Sequence, residues 1–391
     1  MLNYIYNTPT KVYFGKDEEL NIGSIIKEYG FKKILFHYGQ SSLKKSGLFD
    51  IITDKLREKG IDYVELGGVE PNPKLSLVEK GIEIVKREKV DMILAVGGGS
   101  VIDSAKSIAV GCKVDFSPWL FNIKKETPKD HIPVGVILTL SASGSDMSNS
   151  CVITNDTTWQ KTGFNSELNR PLFAILDPKL TYTVSKYQTA CGVVDIMMHT
   201  LERFFSKGDN DTTLTDNLAL GLLKTVYKEG IVAINEPTNY QARANLMWAN
   251  SISHNGLTHC GREFLMSVHQ LEHELSATYD NIAHGAGLAV LWPSWALKAY
   301  KAQPDRFLRF AYEVMEVTPT DNKESDIINA INKLKAYYVE IGMPAQLRKF
   351  GVTYDSLEPM ALRLTNNKSK SFNDIINVDF DMALEIYKAA Y

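Results

Sequence analysis

The chain has 391 residues, of which 44% are hydrophobic and 23% charged, enough to bury two hydrophobic cores. A net charge of −3 and a pI near 6.3 exclude the basic footprint that a nucleic-acid or anionic-membrane partner demands. There is no apolar run of membrane-spanning length, no basic-then-apolar leader and no Cys-x-x-Cys. The expectation is a cytoplasmic protein with reduced thiols at Cys112, Cys151, Cys191 and Cys260.

Lys11–Phe14 reads as an opening strand that belongs to no strand–helix unit, and it is expected at a sheet edge. Lys33–Tyr38 (KILFHY) is a short apolar run, followed by the amphipathic Leu43–Lys59. Then come Tyr63–Leu66, a turn at Pro71-Asn72-Pro73 and the helical pattern Leu75–Lys89. Asp91–Val96 (DMILAV) reads as a buried strand and Ser100–Val110 as a helix. Ile132–Leu138, Ser150–Thr154 and Leu172–Leu176 complete the strand set. Strands alternating with helices of about 10–15 residues imply a mostly parallel sheet covered on both faces.

After Asp177-Pro178 the pattern changes. Ser185-Lys186-Tyr187-Gln188 fits a capping box with Ser185 as N-cap. Thr189–Phe205, Thr212–Asn235, Gln241–His254, Phe264–Leu275 and Ala286–Lys301 are all helical in period. The division expected is an α/β domain over 1–182 and an all-α domain over 183–391.

The helical half holds an unusual set of polar residues. Ser267–Gly287 (SVHQLEHELSATYDNIAHGAG) contains His269, His273 and His284, three of the eight histidines. His269 and His273 are four apart, so on a helix they lie within about 40° of each other. His284 follows a polar break at Asp280-Asn281 and approaches from a second element. Asp195 and His199 repeat the four-residue spacing inside Val193–Met198, an almost unbroken apolar run. A carboxylate buried there is costly unless paired or coordinated, so one carboxylate and two or three imidazoles suggest a site for a borderline divalent metal. The plainer alternative is a common His-x-x-x-His spacing, with Asp195 and His199 as a surface ion pair. His37, His131, His254 and His259 are read as structural or solvent-facing, with His259 the substitute ligand should His269 not serve.

The first half carries a nucleotide signal. Gly97-Gly98-Gly99-Ser100 follows the strand DMILAV and opens a helix, with Asp103 one turn inside. Such a turn lets backbone N–H groups approach a pyrophosphate, although a tight turn without a ligand uses the same residues. Thr139–Asp146 (TLSASGSD) follows another strand as a second small-residue loop.

Taken together, GGGSVID, TLSASGSD, the D-x-x-x-H of GVVDIMMHT and the H-x-x-x-H followed by HG resemble the iron-dependent alcohol dehydrogenase family. The likeness extends to KVYFG, the VEPNP turn and FAILDPKLTYT, and it is closest to the NADP-dependent butanol dehydrogenase branch. The resemblance implies an N-terminal Rossmann-like parallel-sheet domain, an all-α metal-binding domain and a nicotinamide held between them. It implies Asp195, His199, His269 and His284 as metal ligands, with Fe²⁺ favoured and Zn²⁺ an alternative. Gly97, Gly98, Gly99 and Ser100 match the pyrophosphate loop, and Thr139, Ser141 and Ser143 the second cofactor loop. Asp103 matches the acid beside the nicotinamide ribose, Lys161 a lysine near the cofactor ribose, and His273 a histidine near the nicotinamide that is not a ligand. Asp146 departs from the Glu of many relatives, and Leu180 from a cofactor-facing Tyr of some.

The expected activity is hydride transfer between NADP(H) and small primary alcohols or aldehydes, with the metal as Lewis acid and His273 and Asp103 as catalytic groups. NADP(H) is expected because Gly39-Gln40-Ser41-Ser42-Leu43-Lys44-Lys45 carries no acid to repel a 2′-phosphate. Gly39 gives room there, Ser41 and Ser42 offer donors, and Lys44 or Lys45 adds charge. A homodimer through the N-terminal edge strand is expected, with neither membrane nor nucleic-acid partner. Two rivals share the fold: an NAD-using cyclase or glycerol dehydrogenase-like metal enzyme, and a non-catalytic nucleotide-binding protein. The apolar residues Met197, Met198, Phe264, Leu265 and Met266 around the ligands favour a small apolar substrate over a sugar phosphate.

Overall fold

A computed structural model describes residues 1–208 and 211–391. The chain forms two compact units, Asn7–Thr183 and Val184–Tyr391, the latter together with Met1–Tyr6. The first six residues thus depart from the expected boundary. The Leu2 N–H donates to the Gly261 carbonyl at 2.8 Å, and this tie binds the N-terminal arm to the helical unit.

The first unit runs β1 (Lys11–Phe14), α1 (Ile22–Glu28), β2 (Lys33–Tyr38), α2 (Ser42–Lys45), α3 (Leu48–Glu58), β3 (Asp62–Leu66) and α4 (Leu75–Glu88). It continues with β4 (Met92–Gly97), α5 (Gly99–Gly111), α6 (Trp119–Asn122), β5 (Val134–Leu138), β6 (Ser150–Asn155), β7 (Gln160–Asn165) and β8 (Phe173–Leu176). Six strands form one parallel sheet in the order β1-β8-β5-β4-β2-β3, with β1 at the expected edge. The central strands β4, β5 and β8 are buried throughout, as a sheet covered on both faces requires. Strand order reverses between β2 and β4, so the loops leaving those neighbours flank a topological switch point, where open α/β sheets take their ligands.

Two expectations fail here. Ser150–Thr154 does not join the parallel sheet; as β6 it pairs antiparallel with β7 in a separate hairpin. The single helix expected over Leu43–Lys59 is two helices, broken at Gly47, whose φ of 77° only glycine adopts without strain.

The second unit comprises α7 (Lys186–Phe204), α8 (Thr213–Asn235), α9 (Tyr240–His254), α10 (Ser267–Thr278), α11 (His284–Ala299), α12 (Pro304–Arg309), α13 (Lys323–Glu340), α14 (Leu357–Leu364), β9 (Phe372–Asn373), β10 (Asn377–Val378) and α15 (Phe380–Ala390). The short antiparallel pair β9–β10 interrupts what was expected to be all-helical. Ser185 caps α7 by accepting from the Gln188 N–H at 3.2 Å. The core is built around Trp292, Trp295, Phe204 and Phe205, with Met197 and Met198 of α7 inside it. No helix among the described residues is long and apolar enough to cross a membrane.

Candidate active site

Helices α7, α10 and α11 bring four predicted side chains together. Asp195 and His199 lie one turn apart on α7, His269 sits in the first turn of α10, and His284 is the first residue of α11. Asp195 Oδ1 stands 3.3 Å from His199 Nδ1, 3.7 Å from His269 Nε2 and 3.8 Å from His284 Nε2. Asp195, His199 and His269 offer ligand atoms that all lie within 4.8 Å of one another, and His284, 3.8 Å from Asp195, also groups with Glu272 and His273. The distances from Asp195 lie near the edge of about 3.4 Å of a tetrahedron with arms near 2.1 Å.

Asp195 Oδ1, His199 Nδ1 and His269 Nε2 are buried and make no hydrogen bond among the described residues. Buried polar atoms are ordinarily paired, so a converging carboxylate oxygen and two imidazole nitrogens without partners call for a cation, for which a proton on His269 competes. Burial lowers the His269 pKa, but the Glu202 and Asp195 carboxylates outweigh it and raise it to about 9. Burial, then the neighbouring His254 and His269 rings, push His199 well below its usual value, leaving it a neutral donor ligand.

Two carboxylates that the sequence reading missed complete the centre. The His269 Nδ1–H donates to Glu202, which also accepts from the Val268 N–H at 2.6 Å. The His284 Nδ1–H donates to Glu272. Each bond fixes the ring proton on Nδ1 and turns the Nε2 lone pair toward Asp195. Glu202 and Glu272 stand three residues beyond His199 and His269, but their burial, which marks them, emerges only on folding. His254 was assigned a structural place, and its ring packs 4.1 Å from the His199 ring. His259 packs against Phe264 instead and is not needed as a substitute ligand.

His273 lies outside the four-residue group. Its half-buried ring is 5.6 Å from His284 and 6.4 Å from His269 between centroids. It groups with His284 and Glu272, its ligand atom within 4.8 Å of theirs.

The first unit gathers the nucleotide candidates. Gly97 ends β4, Gly98 caps α5, and Gly99 and Ser100 form its first turn, leaving N–H groups that no helical carbonyl satisfies. The glycines also have a packing reason. A Cβ at Gly97 would press on Val101, one at Gly98 would meet Leu140 at 3.2 Å, and one at Gly99 would run into the Ser143 side chain. The second loop thus lies directly on the first, and the Thr139 N–H donates to the Gly97 carbonyl at 3.1 Å. Thr139, Ser141 and Ser143 are half-buried along it, as is Lys161 on β7.

Asp103 needs a different description from a free acid. One carboxylate oxygen accepts from Ser145 and the other from the Val152 N–H at 2.9 Å. Burial raises its pKa, opposed by the charges of Lys106 and Lys161. Lys106, also missed, is fully buried and donates to Ser145, Ser148 and Ser150 at 2.8–3.2 Å. Together the two residues pin the second loop and the β6–β7 hairpin to α5.

Gly39 leaves β2, and Ser41 and Ser42 are exposed at the start of α2. Lys44 bonds Glu65 at 3.0 Å and lies 4.4 Å over the Phe49 ring. His37 is structural, its Nδ1 bonded to the Leu66 carbonyl and its Nε2 to Ser104. Asp146 is buried, and Leu180 packs on the core of the sheet domain.

Comparison with known proteins places the chain in a family. A model described as iron-containing alcohol dehydrogenase matches residues 9–178, and one described as Fe-containing alcohol dehydrogenase family, C-terminal, matches residues 189–391. The chain is 42% identical over its whole length to NADH-dependent butanol dehydrogenase A of Clostridium acetobutylicum, covering 100% of that protein. It is 34% identical, again over 100% of both chains, to the NADPH-dependent aldehyde reductase YqhD of Escherichia coli. The crystal structure of NADH-dependent butanol dehydrogenase A from Thermotoga maritima superposes with a TM-score of 0.95 at 36% identity, covering 100% of this chain and 99% of that one.

Proposed function

Because the chain belongs to the iron-containing alcohol dehydrogenase family and is an oxidoreductase of the alcohol dehydrogenase and aldehyde reductase kind, we propose that it reduces small aldehydes of butyraldehyde size to primary alcohols with NADPH. A nicotinamide cofactor and a metal belong to that activity; the finer choice made here is NADP(H) over NAD(H) and Fe²⁺ ahead of Zn²⁺. The observation that carries the reading is the convergence of Asp195 Oδ1, His199 Nδ1 and His269 Nε2 as buried, unpartnered atoms, with His284 Nε2 3.8 Å from Asp195.

When bound, a divalent ion there supplies Lewis acidity to a substrate oxygen, and the nicotinamide supplies or accepts the hydride. Asp195, His199, His269 and His284 hold the ion. Glu202 and Glu272 keep two imidazoles oriented, and the surrounding apolar helices exclude water. His273, half-buried beside His284, is the group assigned to pass a proton to the product oxygen. Gly97–Ser100 present backbone donors to the pyrophosphate, with Thr139, Ser141, Ser143 and Lys161 on the neighbouring loop and hairpin. Asp103 acts by holding Ser145 and Val152 and is a positioning residue. The absence of a carboxylate over Gly39–Ser42 supports NADP(H), with Lys45 the cation left to face a 2′-phosphate. The exposed edge of β1 supports a homodimer, and the composition supports a cytoplasmic enzyme.

The test is turnover by the purified, metal-loaded chain across aldehydes of increasing length, with NADPH and NADH in parallel. NADPH consumption with four-carbon aldehydes is expected, and His284→Ala should lose both metal and turnover while remaining folded. Full activity in His284→Ala would remove the metal centre from the reading.

A further inference from the structure

Helix α11 opens on His284-Gly285-Ala286-Gly287, and its two glycines have different neighbours. A Cβ at Gly285 would run into the backbone of Cys191, so that glycine seats α11 against α7 one turn ahead of Asp195. A Cβ at Gly287 would stand 2.9 Å from Glu272 Cγ and 3.2 Å from its Oε1. Neither glycine has a positive φ, so each is there for space rather than for backbone freedom. Gly287 leaves the room that Glu272 occupies.

Glu272 is fully buried and takes the Nδ1–H of His284. The four ligands are unequally protected. The side chains of Asp195, His199 and His269 are 5–6% exposed, that of His284 25%. His269 is doubly secured, because its carboxylate partner Glu202 is itself anchored on the Val268 N–H. His284 is therefore the ligand that water or a competing chelator reaches first.

We propose that Glu272, seated by Gly287, is a positioning residue that keeps His284 on the metal and so sets how fast the metal is lost. The inference rests on the four-ligand reading of the centre. The physical cause is twofold: the carboxylate holds the proton on Nδ1, so Nε2 is the donor, and its charge strengthens that donor. Without it the ring is free to turn, and either nitrogen carries the proton.

The experiment loads the full-length chain with Co²⁺, whose visible absorption reports its ligand geometry, and follows transfer to excess chelator. Wild type, Glu272→Ala, Glu272→Gln, Gly287→Ala and His284→Ala are compared, with circular dichroism and the Tm of the metal-free form as controls for folding. Glu272→Ala should weaken metal binding about 10–100-fold, chiefly through faster release. Glu272→Gln should fall between, because its amide oxygen still accepts the Nδ1–H. Gly287→Ala should release metal faster than wild type although it touches no ligand. Wild-type release and an unchanged spectrum in folded Glu272→Ala and Gly287→Ala would overturn the inference alone. Should Glu272→Ala not fold, wild-type release in Glu272→Gln and Gly287→Ala together would overturn it. Wild-type Co²⁺ affinity in His284→Ala would instead overturn the four-ligand reading, and the inference with it.

Discussion

Gly39→Asp is the perturbation that most directly tests cofactor choice. A Cβ at Gly39 would meet only the Val69 carbonyl at 3.7 Å and Val101 Cγ2 at 3.8 Å, which are ordinary van der Waals separations. Gly39 is also not among the residues with positive φ, so an L side chain enters without backbone strain. The fold therefore tolerates the change, and the effect is one of charge and hydrogen bonding. A carboxylate at the end of β2 repels a 2′-phosphate and accepts from a ribose 2′-hydroxyl. The swing is on the order of 1–3 kcal/mol, roughly 5–150-fold in the ratio of specificities. The assay is kcat/KM for NADPH and NADH at fixed aldehyde and fixed ionic strength, for wild type and variant. Wild type should favour NADPH and Gly39→Asp should move toward NADH. A wild type that favours NADH, or a variant whose ratio does not move while its fold is intact, would refute the reading of this loop.

His273→Gln should depress turnover with metal content intact and flatten the pH–rate profile on the side set by the proton donor; an unchanged profile would return His273 to packing. Burial lowers the His37 pKa to about 4, so the folded state binds its proton less readily than the unfolded chain. The stability this gives is fully present above about pH 6.5 and is lost as pH falls toward 4, amounting to about 2 kcal/mol by pH 5. Urea unfolding at pH 7 and pH 5 should show a smaller stability difference for His37→Gln than for wild type; equal differences would contradict the assignment.

The parts of the fold that were legible are those carried by local period. KILFHY, DMILAV and the run at Ile132–Leu138 are apolar on both faces, and all became central or near-central parallel strands. Gln160–Asn165 (QKTGFN) has no such period, so β7 was missed and its partner β6 was misassigned to the main sheet. Leu43–Lys59 read as one helix because Ser46-Gly47 does not break its apolar spacing, whereas the φ at Gly47 does break the helix. In the loops, pyrophosphate approach was a reason for Gly97–Gly99 legible in sequence, but the packing reason was not. Part of the reason is Ser143, which only folding brings against Gly99.

The metal centre separates the two kinds of information most clearly. Asp195 and His199 repeat the four-residue spacing on α7, so that half of the ligand set could be read along one helix. Glu202 and Glu272 could not, because neither serves its own helix. Glu202 of α7 holds His269 of α10, and Glu272 of α10 holds His284 of α11. Each helix thus fixes a ligand on the next, an order that packing creates and that no single period contains. Helix α10 is the shared member, carrying both His269 and Glu272. A one-residue slip of its register, a rotation of about 100°, would withdraw one ligand from the centre and release another at the same time. The buried face Val268, Leu271 and Leu275, which sets that register in the core, is for this reason as much a determinant of metal binding as the histidines themselves.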